Sequence, residues 1–184
     1  MKLLWTELAK QGWHIDWRTP KKIVEVCTQT PAQIDDFMIG HLKQSWEFLT
    51  HKVLELHPLR KRILDCAFKH IQNEDWISAI PLLFSQIDGV ALETFGVSIF
   101  YRRDVLERKI KKKFPDAPEH DAFVAIILDI MIVDTPFARH AANSRHGVLH
   151  GRADSLEYGT IENAYKAFSL LCFTVDCCNR VKKA

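Results

Sequence analysis

The sequence lacks the cysteine spacing of a disulfide framework or of a cysteine-based metal site. It has an odd number of cysteines and no Cys-x-x-Cys pair. The five cysteines are Cys27, Cys66, Cys172, Cys177 and Cys178. Four of the five stand in apolar surroundings, which is typical of buried free thiols in a reducing compartment. We therefore predict unpaired cysteines in a cytoplasmic protein.

Long hydrophobic runs are also missing. The most apolar stretch, residues 122–133, spans about a dozen residues and contains Asp129, whereas a membrane helix needs about 20 apolar residues. The first residues, from Met1 to Glu7, do not form the charged and then apolar pattern of a secretory signal. We expect no membrane partner.

Neither sign of charge dominates the chain. The 25 Lys and Arg against 23 Asp and Glu give a formal charge of +2, so a nucleic-acid contact would need a local basic patch. Hydrophobic residues make up 47% and charged residues 26% of the 184 positions, which is ordinary for one globular domain.

The apolar residues that are present indicate helices. From Thr30 onward they recur at steps of three and four, and Thr30 followed by Pro31 is a favoured helix start. We predict helices near residues 31–56, 60–72, 76–100, 103–113, 118–133, 136–150 and 161–181. Asn73 or Asp75 would cap the third helix. Pro81 would either kink this helix or make it start late.

The fold class is therefore predicted as all-α, a helical bundle with a short irregular N-terminal arm. Residues 1–30 form the arm and residues 31–184 the helical domain. Within the arm, the sequence from Lys21 to Val26 is compatible with a short strand. No repeat or long linker divides the chain.

The residues from Asn143 to Gly151 differ from the rest of the chain, because two histidines and two glycines accompany an arginine between apolar segments. Gly151 is suited to end a helix in the left-handed conformation. His150 would then lie in the last turn, where the negative end of the helix favours a protonated imidazole. A histidine there can act as general acid or base, and Arg145 can bind a phosphate in bidentate fashion. Together they are the minimum for cleaving RNA without a metal.

Helix geometry limits this interpretation. Arg145 and His150 project about 140° apart on an ideal helix, so one straight helix cannot aim both at one small ligand. Either the helix is distorted at Gly147, where glycine is otherwise costly, or two copies contribute to one site. His146 and His150 do share a face, but no third ligand is placed to complete a zinc site, so we predict no metal or cofactor.

The segment Arg145-His146-Gly147-Val148-Leu149-His150 resembles the R-x4-H motif of HEPN domains. Its context is similar to bacterial HEPN-like proteins with the approximate pattern N-R-H-x-(V/I)-L-H-G, an acidic loop, and Y-G-T-x-x-N. Here the loop carries Asp154 and Glu157, and the last element is Tyr158-Gly159-Thr160-Ile161-Glu162-Asn163. Residues 79–89 are also similar to that group. Ser144 departs from the pattern, since Asn is usual there and Asn143 stands one place earlier.

The resemblance implies a HEPN-like bundle that dimerises so that two motifs line one cleft. In active members such a site cleaves single-stranded RNA to 2′,3′-cyclic phosphate ends, often in toxin–antitoxin or phage-defence systems. Arg145 would then neutralise the phosphate, His150 would be the general acid or base, and His146 would position the arginine. The expected partners are RNA, a second copy of the chain, and an antitoxin or regulatory protein.

Other interpretations remain open. Arg145 and His150 could be a structural pair, with the arginine bridging to Asp134 or Asp154 and the histidine capping carbonyl groups. The chain could also be a non-catalytic dimeric module that binds a partner protein, a nucleotide or RNA. A helical bundle for apolar ligands is a third possibility.

Three further features accompany the motif. The lysines Lys109, Lys111, Lys112 and Lys113 could contact RNA phosphates, although such runs are often only solvated helix faces. Asp88, on an otherwise apolar helix, needs a partner such as Arg139 or Arg145 and is expected to give structural support. Asn143 is a second supporting residue.

Overall fold

The computed structural model describes residues 8–9, 11–26, 28–98, 103–113 and 145–183, and every regular element in these ranges is helical. The α-helices are α1 (Ile23–Val26), α2 (Pro31–Gln44), α3 (Trp46–Leu56), α4 (Lys61–Gln72), α5 (Trp76–Phe95), α6 (Arg103–Lys113), α7 (Arg145–Leu149) and α8 (Ile161–Lys183). Two 3₁₀ turns, Pro58–Arg60 and Ala153–Tyr158, connect neighbouring helices. The all-α prediction is confirmed. The predicted helix 118–133 and residues 136–144 lie outside the described ranges.

Helices α5 and α8 pack together and form the centre of the core. Helix α5 buries Leu83, Phe84 and Ile87, and α8 buries Phe168 and Leu171, all at 0% exposure. Full burial of such a side chain contributes about 1.5–3 kcal/mol, so this pair of helices supplies much of the stability. Helices α2 and α3 contact α8, helix α4 contacts α5, and both α6 and α7 contact α5.

Several predicted helix ends are confirmed. Thr30 precedes Pro31 at the start of α2, and the Thr30 backbone N–H donates to the side-chain oxygen of Gln33 at 3.1 Å. His57 ends α3 before Pro58. Asp75, and not Asn73, caps α5, because its carboxylate accepts a hydrogen bond from the Ser78 backbone at 3.2 Å.

Other predicted boundaries were wrong. Residues 31–56 form two helices, since Ser45 leaves the helical conformation at φ −96° and ψ 5°. Helix α5 stops at Phe95 and does not reach residue 100, because Gly96 adopts the left-handed conformation at φ 71°. Of the two alternatives at Pro81, a kink or a late start, the late start is wrong, because the helix begins at Trp76, as its predicted range had it, and contains this proline.

The predicted strand at residues 21–26 is a single helical turn, α1. Its backbone bonds are local, such as Ile23 to the Pro20 carbonyl at 3.0 Å and Glu25 to the Lys22 carbonyl at 3.0 Å. Ile23 and Val26, three residues apart, are the buried members, so the apolar spacing here is helical.

The arm packs on the helical body. Trp13 is fully buried, and its indole N–H donates to Asp35 on α2 at 2.7 Å. The same carboxylate oxygen lies 3.0 Å from the ammonium of Lys166 on α8. Asp16 reaches His41 on α2 at 2.8 Å, and neither side chain is solvent-exposed by more than 7%. These contacts connect the arm to both α2 and α8.

The described cysteines are all free. Cys172, Cys177 and Cys178 are buried, as predicted, whereas Cys66 is exposed on α4. Cys178 lies in the core, and its burial raises the pKa of the thiol to about 12. In the ranges that the structure describes, no helix combines the length and the apolar character needed to cross a bilayer.

Candidate functional site

Helix α7 is short and ends in a defined turn. The N–H of Gly151 donates to the Val148 carbonyl at 3.3 Å, and the N–H of Arg152 donates to the Gly147 carbonyl at 3.0 Å. This pair of bonds is the Schellman arrangement, which requires a left-handed residue just past the helix. Gly151 supplies it at φ 62°, so the predicted role of this glycine is confirmed.

The turn separates a buried face from an exposed one. Gly147 and Val148 are buried, whereas Leu149 and His150 are exposed. Burial of Gly147 agrees with the expectation that this position needs a residue without a side chain. His150 is the last residue before Gly151 and lies at the surface, where a dissolved substrate can reach it.

Three of the predicted site residues cannot be placed by their side chains. Arg145 and His146 occupy the first two positions of α7, and their side chains lie outside what the structure describes. Asn143 precedes the described range entirely. The joint role of Arg145 and His150 in one site therefore stays a prediction.

The Y-G-T-x-x-N element forms the junction between the 3₁₀ turn and α8. The Thr160 hydroxyl accepts a hydrogen bond from the Asn163 backbone at 3.2 Å, which caps α8. The Asn163 side chain in turn donates to the Tyr158 carbonyl at 3.0 Å. A Cβ added to Gly159 would lie 2.4 Å from the Ile77 side chain, so this close approach needs glycine. The element thus builds the corner that leads from the candidate site into the core.

Tyr158 also connects this corner to α5. Its hydroxyl donates to the Ile77 carbonyl at 3.0 Å. In a regular helix that carbonyl would accept from the residue four places later, which here is Pro81 and has no N–H. The tyrosine replaces the missing donor, and this explains how a proline is tolerated inside α5. The Y-G-T-x-x-N element therefore packs against the first turn of α5.

The predicted RNA-binding lysines lie on α6 and fall into two groups. Lys109, Lys111 and Lys112 are exposed. The ammonium of Lys113 donates to the Thr94 carbonyl at 2.6 Å, near the end of α5. Carbonyl groups in the last turn of a helix lack partners within the helix, so this contact favours a structural role for Lys113.

Asp88 lies half-buried on α5, and its supporting role stays a prediction. Its predicted partners cannot be compared with the structure, because Arg139 lies outside the described residues and the side chain of Arg145 is not described.

One polar cluster was missed by sequence reasoning. Arg60 donates to Gln86 at 2.9 Å and pairs with Glu93, and its guanidinium passes over Gly89, where a Cβ would lie 2.4 Å from a guanidinium nitrogen. The hydrogen bond from Arg60 holds the pKa of Glu93 below its ordinary value. Gln86, Gly89 and Glu93 share one face of α5, and this spacing was the available signal. The cluster fixes the 3₁₀ turn Pro58–Arg60 against the core.

A second missed feature is the buried histidine His14 in the arm. Its ring stacks on Phe173 at 5.7 Å, and both ring nitrogens are buried without a hydrogen-bond partner among the described residues. Burial lowers its pKa to about 3. The sequence carried no sign of this, since histidine ranks between the mostly buried and the mostly exposed residue types.

Within the described ranges no group of three or more His, Cys, Asp or Glu side chains is arranged to hold a metal ion. Comparison with known proteins adds no assignment: no family model, no curated protein sequence and no solved structure matches this chain.

Proposed function

We propose that this protein is a metal-independent endoribonuclease that cleaves single-stranded RNA and uses Arg145 and His150 as its active-site residues. The observation that carries the proposal is the surface position of His150 directly after α7, five residues after Arg145, which begins that helix. A histidine at such a place is accessible to a dissolved RNA chain and can act as general acid or base.

The proposed reaction needs no cofactor. The 2′-hydroxyl oxygen attacks the neighbouring phosphorus, its bond to phosphorus forms, and the bond from phosphorus to the 5′ oxygen breaks. His150 takes the proton of the 2′-hydroxyl, and the leaving 5′ oxygen gains a proton from water or from a second histidine. Arg145 neutralises the charge that develops on the phosphate oxygens, with His146 beside it in the helix. The product carries a 2′,3′-cyclic phosphate.

A second copy of the chain would complete this site. Arg145 and His150 project about 140° apart on a regular helix, so two copies facing each other would bring one arginine to the histidine of the other. Lys109, Lys111 and Lys112, which are exposed on α6, are proposed to hold the flanking phosphates. An activity of this kind would need restraint in the cell, as in toxin–antitoxin or phage-defence systems.

The test uses His150→Ala and Arg145→Ala, with His51→Ala as the matched control, since His51 is an exposed histidine on α3. Both site variants should lose RNA cleavage and keep the helical circular dichroism of the wild type, and the control should keep cleavage. Retained cleavage by a site variant would reject the assignment. Loss of cleavage by the control too would show that the loss in the site variants is not specific to Arg145 and His150.

A further inference from the structure

A groove of about 360 Å³ lies away from α7, where the end of α2, the start of α3, the end of α4 and the first turns of α8 meet. Its volume falls at the lower end of the range for small-molecule sites, which is roughly 300–1,000 Å³. Trp46, Ile71 and Tyr165 provide its apolar lining, and Lys43, Gln44, Glu47 and Gln72 provide its polar lining.

The aromatic wall of the groove is held in place by the core. Trp46 lies 6.4 Å from the Tyr165 ring and 4.7 Å from the Phe168 ring, and Phe68 contacts it edge-on at 5.8 Å. Trp76 lies 6.1 Å from Tyr165 on another side. Because the rings are fixed before any ligand arrives, little conformational entropy is lost when a flat molecule stacks on them.

Several polar side chains of the groove have no hydrogen-bond partner among the described residues, although the Lys43 ammonium lies 5.8 Å over the Tyr165 ring. Tyr165 is only 5% exposed, and its hydroxyl, which makes no hydrogen bond to a described residue, still reaches solvent. The side-chain amides of Gln44 and Gln72 are likewise without hydrogen bonds among the described residues. Burial raises the pKa of Tyr165, so its hydroxyl stays a donor at neutral pH.

The charges of the groove are balanced, since Lys43 and Glu47 both line it. A phosphate-rich ligand would need an excess of cations, whereas a neutral ring needs none. Each glutamine amide presents a donor beside an acceptor, which matches the N6 and N7 edge of adenine. Stacking on aromatic side chains is the usual way in which proteins hold a single base.

We propose that this groove binds one adenine base, stacked against Trp46 and hydrogen-bonded by the amides and by the Tyr165 hydroxyl. The base could belong to a free adenine nucleoside or to an unpaired adenosine of an RNA strand. This binding does not require cleavage at His150, so it stands or fails separately from the proposed nuclease.

The experiment titrates the full chain with adenosine, with uridine, and with a 2′-O-methylated oligoadenylate, which cannot be cleaved because its 2′ oxygens are blocked. Binding is followed by saturation-transfer NMR and calorimetry. Adenosine binding, with uridine weaker by about tenfold, indicates a free nucleoside. Binding of the oligoadenylate alone indicates an RNA base. Either result supports the proposed adenine site only if substitutions of groove residues weaken the binding.

That dependence is measured with Tyr165→Phe and Gln72→Ala, each expected to weaken binding about five- to tenfold, the usual effect of one lost hydrogen bond. Tyr165→Phe keeps the ring and removes a hydroxyl without a partner, so it should fold normally. Gln29→Ala, an exposed glutamine outside the groove, is the matched control and should bind as wild type. Absence of binding to adenosine and oligoadenylate, or binding that neither groove variant weakens, would overturn the proposal.

Discussion

His14 shows how one side chain can make the stability of this protein depend on pH. Its ring is fully enclosed, both nitrogens lack partners among the described residues, and its pKa is lowered to about 3. In the unfolded chain a histidine titrates near pH 6.5. Between these two values the unfolded chain binds a proton that the folded protein does not, so acid favours unfolding.

We predict that His14 lowers the free energy of unfolding by about 1.4 kcal/mol for each pH unit as the pH drops from about 6.5 towards 3. His14→Leu, which is similar in size and does not titrate, should remove that part of the slope. Urea unfolding of both proteins at several pH values measures the difference. His51→Leu, at an exposed position, is the control and should keep the wild-type slope. An unchanged slope in His14→Leu would contradict the account.

At the scale of elements, helix α5 depends on a donor from outside its own sequence. Pro81 leaves the Ile77 carbonyl without its usual N–H, and the hydroxyl of Tyr158 supplies the bond at 3.0 Å. The two groups should therefore be coupled in energy, and a double-mutant cycle isolates such coupling.

Tyr158→Phe is expected to cost about 0.5–1.5 kcal/mol of unfolding free energy, because one hydrogen bond to the carbonyl is lost. In the background of Pro81→Ala, whose new N–H can bond to the same carbonyl, the cost should be much smaller. Chemical denaturation of the four proteins gives the cycle. Equal costs of Tyr158→Phe in both backgrounds would show that the tyrosine does not replace the missing donor.

The success of sequence reasoning also varied by element. Helix α4 and the start of α8 were predicted closely, because the apolar spacing of α4 is regular and Thr160 caps α8. The break at Ser45 was missed, since the apolar spacing continues across it from Leu42 to Leu49. The end at Gly96 was missed because apolar periodicity was given more weight than a glycine with left-handed potential.

At the candidate site, too, sequence reasoning predicted some features and missed others. Gly151 and the exposed end of α7 followed from local rules about glycine and helix ends. The long-range contacts did not, because Tyr158 with Ile77 and Arg60 with Glu93 join residues far apart in the chain, and local patterns carry no information on such pairs.

At the scale of the whole molecule, one of the links between the arm and the body is a shared carboxylate. Asp35 accepts from the buried Trp13 indole at 2.7 Å and pairs with Lys166 at 3.0 Å, so it connects the arm, α2 and α8. A buried donor that loses its acceptor costs about 1–3 kcal/mol. We infer that the arm unfolds together with the helices.

Asp35→Ala should therefore lower the stability of the whole protein by about 1–3 kcal/mol, in one transition seen alike by tryptophan fluorescence and circular dichroism. Asp36→Ala, at the exposed neighbouring position, is the matched control and should change little. Limited proteolysis reports on the arm. Faster cleavage within residues 11–26 of Asp35→Ala, with unchanged global stability, would show that the arm unfolds separately.

The measurement that tests the central claim most directly is incubation of the purified protein with end-labelled single-stranded RNA in excess chelator. The account predicts cleavage by the wild type, 2′,3′-cyclic phosphate ends on the products, and no cleavage by His150→Ala. Equal cleavage by His150→Ala, cleavage that the chelator abolishes, or no cleavage by the wild-type protein would contradict it.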